Sequence, residues 1–176
     1  DYIDPMWLSL GAGRPCINLD YNTMSDSDIR GAFNRYGADA NLSIIEGSKG
    51  LFDGLDLDGG NSNAALADLL GAPVVLVINA RGMTRGIAPL ILGYQAFDPT
   101  IRIAGVILNS VGGQRHESKL RSILEHYTDV PVLGAIQYDP RLEIGERHLG
   151  LVPSGEAGDA GARISTIEAA ISDQVD

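Results

Sequence analysis

The sequence has little of what several protein classes require. Its single cysteine, Cys16, excludes an internal disulfide, and no zinc-ligand spacing surrounds it. No apolar run approaches the roughly 20 residues that span a bilayer, and no basic segment followed by an apolar stretch opens the chain. We therefore expect a soluble, cytoplasmic protein that does not bind membranes, with a structural role for Cys16.

Positive charge is also scarce. The chain has 13 Lys and Arg against 23 Asp and Glu, a formal net charge of −10, and its basic residues are not clustered. Binding to nucleic acid without regard to sequence depends on clustered Lys and Arg that neutralise phosphates. A nucleic-acid partner is therefore not expected.

Aromatic residues make up only 6% of the chain, whereas glycine is abundant, with 22 residues, as in α/β proteins with many tight turns. Continuous apolar runs bounded by turn residues predict buried parallel strands at 42–45, 74–78, 103–108 and 132–136. Apolar periodicity predicts helices between them at 26–36, 63–70, 88–97 and 117–127. This alternation predicts a mostly parallel, doubly wound α/β sheet.

The two ends of the chain are less regular. Residues 1–5 have no helix or strand pattern of their own and do not start with Met, so we expect the sequence to begin inside a longer protein. After Pro153 the composition becomes small and polar, which predicts a linker. The apolar spacing over 163–175 predicts a final helix.

Two common catalytic signatures are missing. No GxxxxGK[ST] motif occurs, so the loop that cradles nucleotide phosphates is not in this chain. His116 and His126 fall on the surface of a predicted helix, and no histidine is assigned as a general base. Candidate residues are sought just after each predicted strand, since ligands of such sheets bind beyond the carboxyl ends of the strands.

A carboxylate and a glycine-rich turn follow the first predicted strand. Glu46 stands directly after residues 42–45, and glycines recur at positions 47, 50 and 54. A strand-end carboxylate is a suitable hard ligand for nucleotide-bound Mg²⁺, and glycines let backbone N–H groups approach an anion. A glycine-rich turn with solvated charges would show the same pattern.

Three further sets of polar residues are candidates. Asp1 and Asp4 can both face a metal, or they are a solvated acidic pair. Arg81 and Arg85 precede a predicted helix, where arginines bind phosphate or carboxylate groups, but surface arginines would look the same. Asn109 ends a predicted strand, so its amide either matches the edge of adenine or forms a turn.

Seven segments in colinear order resemble the cobyrinic acid a,c-diamide synthase family. They are DYIDP (1–5), GRPCINLD (13–20), IEGSKGLFDG (45–54), LLGAPVVLVINARGMTRG (69–86), IAGVILNSVGGQRH (103–116), PVLGAI (131–136) and ERHLGLVPSGE (146–156). Seven motifs at family-like spacing are far more specific than any one of them alone.

The resemblance implies an ATP-binding domain of the P-loop fold, similar to dethiobiotin synthetase, here without its N-terminal P-loop strand. It implies ATP and Mg²⁺ as cofactors and cobyrinic acid or a related tetrapyrrole as substrate. Ammonia from a glutaminase domain of the same polypeptide would convert an acyl phosphate into the amide. Residues 1–153 are then a partial amidoligase domain, and 154–176 are a linker and an exit helix. The oligomeric state stays open, a homodimer included.

The same resemblance implies a site built from carboxylates. Asp1 and Asp4 match acidic residues that act near Mg²⁺, ATP and the substrate carboxylate. Glu46 matches the strand-end ligand of the metal, with Asp4 as a second ligand, and Asp53 matches an acidic residue important for amidation. Phosphorylating a carboxylate brings two anions together, so the chemistry requires a bound cation and a few arginines.

The resemblance also implies contacts to the nucleotide. Asn109 matches the position that reads adenine in dethiobiotin synthetase. Arg81 and Arg85 are candidates for contacts to the phosphates, or to the propionate and acetate arms of the macrocycle. A bidentate guanidinium suits either kind of anion.

Two other functions remain open. Lys49 and the polar stretch 55–63 depart from the family pattern, so the same chemistry could act on sirohaem or (nickel) sirohydrochlorin. A P-loop partitioning or regulatory ATPase that is not a ligase is an alternative of another class. Such an ATPase has no reason to combine the DYIDP segment with the glycine-rich turn.

The chain by itself is expected to hydrolyse no ATP, because the backbone N–H groups and the lysine of a phosphate-binding loop are missing. A phosphate-release assay on the purified chain with ATP and Mg²⁺ measures this, with a heat-denatured sample as background. Detectable ATP hydrolysis by the isolated chain would contradict the prediction.

Overall fold

The computed structural model describes residues 2–144, 146–147, 150–156 and 158–175. Its helices are α1 (Ile3–Ala12), α2 (Asp26–Gly37), α3 (Asn63–Leu70), α4 (Ile87–Phe97), α5 (Gln114–Tyr127) and α6 (Ala160–Ile171). Its strands are β1 (Val74–Asn79), β2 (Ile103–Val111), β3 (Val132–Gln137), β4 (Glu146–Arg147) and β5 (Gly150–Leu151). None of the helices in this part of the chain combines the length and apolar character that crossing a bilayer requires.

Two compact units make up the chain. The first comprises Asp1–Cys16, Val75–Pro99 and Ile103–Asp176, and the second comprises Ile17–Val74 and Thr100–Arg102. The described candidate residues divide between them. Asp4, Arg81, Arg85 and Asn109 belong to the first unit, and Glu46 and Asp53 belong to the second.

A three-stranded parallel sheet in the order β1-β2-β3 forms the centre of the first unit. β2 pairs with β3 from Val106 opposite Val132 to Val111 opposite Gln137. The connections between successive strands contain α4 and α5, as parallel strands require a crossover. The predicted α/β class with parallel strands is confirmed, and all three strands extend further at their carboxyl ends than the sequence indicated.

The core of the first unit is built from the central strand and the two crossover helices. Its largest fully buried side chains are Val106, Leu108 and Val111 of β2, Ile87 and Ile91 of α4, and Leu120 and Leu124 of α5. Burying one such side chain stabilises the fold by about 1.5–3 kcal/mol. Because α4 and α5 are the next helices along the chain after β1 and β2, this core anchors the loops at the carboxyl edge of the sheet.

Capping side chains define the helices of the second unit. The Ser25 hydroxyl accepts from the Asp28 N–H while the Asp28 carboxylate accepts from the Ser25 N–H, a capping box at the start of α2. Hydrogen bonds from the Ser25 hydroxyl and N–H hold the pKa of the Asp28 carboxyl below its ordinary value. Ser62 caps α3 at its start, and Gly71, in the left-handed conformation with φ 61°, follows its last residue, Leu70.

The predicted strand at 42–45 is wrong. These residues form no strand in the described part of the chain, and Leu42 and Ile44 are 75% and 85% exposed. An apolar run favours burial, but a strand also needs a neighbour that accepts its backbone hydrogen bonds. No described strand pairs with this segment, so Glu46 follows a loop and not a strand.

The expectation that residues 1–5 lack helical structure is also wrong, since α1 begins at Ile3. Pro5 is tolerated because the first N–H groups of a helix have no intrahelical partner, and the Asp4 carboxylate favours the positive end of the helix dipole. Trp7 is buried and its indole N–H donates to the Val152 carbonyl at 2.9 Å. The proline therefore marks a helix start.

The segment that follows the last helix packs closely against the backbone of β3. The predicted final helix is found as α6, which ends at Ile171, and Val175 then forms an antiparallel bridge with Gly134. The Ala135 N–H donates to the Gln174 carbonyl at 3.0 Å. A Cβ on Gly134 would lie 2.8 Å from the Gln174 carbonyl oxygen and 3.0 Å from the Val175 Cα, so glycine is required there.

Gly134→Ala is expected to lower the free energy of unfolding by about 1–3 kcal/mol, because the added methyl group overpacks against backbone. Gly93→Ala is the control, since a Cβ on Gly93 in α4 meets nothing within 4 Å. There alanine should be neutral or stabilise by about 0.5–1 kcal/mol. Urea denaturation measures both variants, and an unchanged midpoint for Gly134→Ala would show that this packing is not tight.

Candidate functional site

The glycine-rich loop of the second unit is fastened to the start of α3. The Asn63 side-chain amide donates to the carbonyl oxygens of Lys49, at 2.8 Å, and of Gly50, at 3.4 Å. The Ala64 N–H donates to the Leu51 carbonyl at 2.8 Å, and the Leu51 side chain is buried. The loop therefore has a defined path although most of its side chains are exposed.

The far side of this loop is held in the same way by Asn61. Its Oδ1 accepts from the Leu55 N–H at 2.8 Å. A Cβ on Gly54 would lie 2.9 Å from that oxygen and 3.0 Å from the Gly59 Cα, and Gly59 itself has a left-handed φ of 67°. Packing therefore requires glycine at position 54, and the backbone conformation requires it at position 59. The sequence analysis had attributed Gly54 to anion binding.

Asp53 folds its carboxylate back over the backbone of Gly50. A Cβ on Gly50 would overlap Asp53 Oδ2, so only glycine leaves the carboxylate in that place. The Asp53 N–H donates to the Gly50 carbonyl at 3.1 Å and closes the turn. Asp53 is exposed, so its carboxylate has a defined position and is accessible to a cation or a substrate.

The predicted acidic residues are distributed over the chain. Glu46 and Asp53 are exposed in the second unit, Asp4 is half-buried in the first turn of α1, and Asp1 lies outside the described residues. Among the residues that the structure describes, no group of three or more His, Cys, Asp or Glu side chains is arranged to hold a metal. Glu46 and Asp4 as metal ligands, and Asp1, Asp4 and Asp53 as catalytic residues, stay predictions.

Two neighbouring backbone segments carry the predicted nucleotide contacts of the first unit. Arg81 lies in the loop after β1, and Asn109 lies near the end of β2. The Ala80 N–H donates to the Asn109 carbonyl at 2.8 Å, and Asn79 Oδ1 accepts from the Arg81 N–H at 3.1 Å. Arg81 and Asn109 therefore emerge at the same edge of the sheet.

The Asn109 side chain keeps the groups that adenine recognition needs. Its Oδ1 accepts from the Ser110 N–H at 2.8 Å, which uses one of two lone pairs. The second lone pair can accept from an amino group, and the Nδ2 amide can donate to a ring nitrogen. Ser110 has a left-handed φ of 58°, a conformation that costs an L-residue about 1–2 kcal/mol. Such strain is typical of ligand sites.

The two predicted arginines have different aromatic partners. The Arg81 guanidinium lies 5.5 Å from the centre of the Tyr138 ring, just after β3. The Arg85 guanidinium lies 5.3 Å from the centre of the Tyr127 ring, at the last residue of α5. A cation–π contact restricts the side chain without removing its charge. Arg81 therefore stays at the carboxyl edge of the sheet, whereas Arg85 is held by the end of a helix.

Two residues that were not among the predicted site residues hold the loop after β2. His116, expected on a helix surface, is half-buried; its Nδ1 accepts from the Gly112 N–H at 3.0 Å and its Nε2 lies 2.6 Å from the Met83 carbonyl oxygen. Gln137 Oε1 accepts from the Gly113 N–H at 2.9 Å. A histidine in the first turn after a strand-end glycine pair is the signal that could have identified His116.

Comparison with known proteins supplies relatives over the whole chain. Residues 18–144 match the family model described as an AAA domain. The chain is 46% identical over 167 residues to the cobyrinate a,c-diamide synthase of Magnetococcus marinus, a match that covers 95% of this chain and 36% of that protein. It is 45% identical over 186 residues to that of Methanosarcina acetivorans, covering 100% of this chain and 37% of the relative.

A third relative is the hydrogenobyrinate a,c-diamide synthase of Thermobifida fusca, which is 44% identical over 181 residues, with 100% of this chain and 38% of the relative covered. The chain therefore spans little more than a third of the length of the relatives it matches. No solved structure matches the chain.

Gly50→Ala is expected to displace the Asp53 carboxylate while changing the free energy of unfolding by no more than about 0.5 kcal/mol, because the overlap falls on an exposed side-chain end. Gly60→Ala is the matched control in the same loop, where the nearest atom to the new Cβ, Asp56 Oδ2, is at an ordinary 3.6 Å. Carboxyl ¹³C chemical shifts of Asp53 in both variants report the displacement. An unchanged carboxyl chemical shift of Asp53 in Gly50→Ala would show that the Asp53 carboxylate does not pack over Gly50.

Proposed function

We propose that this chain is the ATP-using part of a ligase in cobalamin biosynthesis. The reason is that the chain belongs to the AAA domain family and to the cobyrinate a,c-diamide synthase family. The substrate is cobyrinic acid or its hydrogenobyrinic counterpart, amidated at the a and c side-chain carboxylates. The support is an identity of 44–46% over 95–100% of this chain with proteins named for that reaction.

The proposed chemistry divides into two steps. ATP transfers its γ-phosphoryl group to a carboxylate oxygen of the macrocycle, which gives an acyl phosphate and ADP. Ammonia then attacks the acyl carbon, and inorganic phosphate leaves as the amide forms. A glutaminase domain of the same polypeptide supplies the ammonia by hydrolysing glutamine.

Mg²⁺ fits the donor set of this chain. The first step brings an anionic triphosphate to an anionic carboxylate, so a cation must offset the repulsion. Nucleotide-bound Mg²⁺ takes one or two protein carboxylates and otherwise water and phosphate oxygens, so a cluster of three acidic side chains is not required. Glu46 and Asp4 are the proposed ligands, and Asp1, Asp4 and Asp53 are proposed to act beside the reacting carboxylate.

Nucleotide contacts are proposed for the carboxyl edge of the sheet. Asn109 would read adenine with its remaining acceptor and its amide donors, and Arg81 would offset negative charge on the phosphates or on the macrocycle arms. Arg85 is proposed for the same kind of anion, although its guanidinium contacts Tyr127. An AAA domain that includes these residues supports ATP as the nucleotide.

The identity to relatives named for this reaction carries the proposal, and the geometry of the glycine-rich loop is compatible with it. Asn61 and Asn63 fix the backbone of this loop, and the accessible Asp53 carboxylate rests over Gly50. The names of the relatives do not favour sirohaem, sirohydrochlorin or a partitioning ATPase.

In the full polypeptide, Asp53→Asn is expected to lower kcat for amidation roughly 10- to 100-fold, because the amide carries no charge to hold a cation near the reacting carboxylate. Asp58→Asn removes the same charge from an exposed side chain of the same loop and is the control. Mass spectrometry of the macrocycle after incubation with ATP, Mg²⁺ and glutamine measures amide formation.

Equal kcat values for Asp53→Asn and Asp58→Asn would rule out the role of Asp53. The same assay tests the substrate, since two amides are expected on cobyrinic acid and none on sirohaem or sirohydrochlorin. ATP hydrolysis by the full polypeptide that consumes neither glutamine nor a tetrapyrrole would instead support the ATPase alternative.

A further inference from the structure

His116 makes two hydrogen bonds that together define its tautomer. The Gly112 N–H lies 3.0 Å from Nδ1, and the Met83 carbonyl oxygen lies 2.6 Å from Nε2. A backbone N–H can only donate and a carbonyl can only accept, so Nδ1 carries a lone pair and Nε2 carries the proton. These two partners therefore select the Nε2–H tautomer of the imidazole.

These two bonds join the segments that follow β1 and β2. Met83 lies in the loop that carries Arg81, and Gly112 directly follows the strand that carries Asn109. The Ala80 N–H also donates to the Asn109 carbonyl at 2.8 Å, which links the same two segments directly. His116 sits in the first turn of α5, so it connects both segments to a helix that is anchored in the core.

The N–H group of the next residue, Gly113, is bound by a side chain of β3. Gly113 donates to Gln137 Oε1 at 2.9 Å, and Gln137 Nε2 donates to the Glu117 carboxylate at 2.8 Å. Glu117 is paired in turn with Arg121 at 2.8 Å. Because side chains occupy two successive glycine N–H groups, this loop is a fixed frame and not an open anion-binding nest.

We infer that His116 is a positioning residue for the nucleotide, which through its two hydrogen bonds sets Arg81 relative to Asn109. The inference rests on the proposed ATP-dependent function. Ser110, held at a φ of 58° beside Asn109, supports it, because an L-residue keeps that conformation only where its surroundings enforce it. On one side of Ser110, the Asn109 side chain accepts from its N–H, and on the other, His116 and Gln137 accept from the N–H groups of Gly112 and Gly113.

Two substitutions separate the contributions of the two bonds. His116→Phe keeps a ring of similar size and removes both bonds. His116→Asn places an oxygen near the position of Nδ1 and so keeps an acceptor for the Gly112 N–H. His126→Phe is the control, since His126 is exposed on the same helix and takes no part in these contacts.

In the full polypeptide, His116→Phe is expected to raise KM for ATP about tenfold, the effect of losing one or two hydrogen bonds, with a smaller change in kcat. The preference for ATP over GTP should fall in parallel, and His116→Asn should lie between wild type and His116→Phe. A purely structural defect would lower kcat by reducing the amount of active enzyme and would leave the base preference unchanged. His126→Phe should match wild type throughout.

Hydrogen exchange gives a second readout that does not depend on turnover. Exchange should rise over residues 81–86 and 109–113 in His116→Phe and stay at wild-type levels in His126→Phe. Unchanged exchange and an unchanged ATP/GTP preference in an active His116→Phe enzyme would overturn this inference alone. If His116→Phe does not fold, the same criteria apply to His116→Asn. A wild-type polypeptide that neither binds ATP nor forms amides would overturn the proposed function, and this inference with it.

Discussion

The three strands of the central sheet run in the same direction, and the candidate nucleotide site of the first unit depends on this constraint. In a parallel sheet the carboxyl ends of neighbouring strands meet at one edge, so the residues that follow them become neighbours in space. Arg81 after β1, Asn109 near the end of β2 and Tyr138 after β3 are brought together in this way. Burial of apolar side chains from β2, α4 and α5 keeps the strands in register.

In each unit, a side chain at the start of a helix holds a loop by hydrogen bonds. Backbone groups in a loop need partners, and here a side chain from the first turn of the following helix supplies them. Asn63, the first residue of α3, binds the carbonyl of Lys49, and His116, the third residue of α5, binds Gly112 and Met83. Loop geometry is thereby linked to helix position. This arrangement suits a site whose charged groups must stay fixed while substrates exchange.

Charge sets the second requirement of the proposed chemistry. The chain has an excess of ten acidic residues, and both ATP and a carboxylate-bearing macrocycle are anions. In the proposed function, the net charge of the chain therefore cannot attract these anions, and local cations must do so. Arg81 at the carboxyl edge, together with Mg²⁺ held by carboxylates, meets this requirement in the proposed function.

Sequence reasoning located helices and strands well where the signals were local. Ser62 and Gly71 delimit α3 through contacts with residues a few positions away, so the predicted helix at 63–70 has the observed bounds. The segment at 42–45 failed because pairing, and not composition, makes a strand. Asn109 and Arg81 were chosen because they lie next to predicted strands; the structure has Arg81 in the loop after β1 and Asn109 within β2, near its end, and their roles remain predictions.

The sequence by itself determined the α/β class and the positions of most helices and strands, because capping residues and apolar runs are properties of neighbouring residues. It also indicated the family, because the order and spacing of motifs can be read along the chain without knowing how it folds. Only the tertiary structure decided that Asn63, His116 and Gln137 hold the loops of the candidate sites. Their partners lie 14, 33 and 24 residues away along the chain, and pairing over such distances depends on how the strands and helices pack.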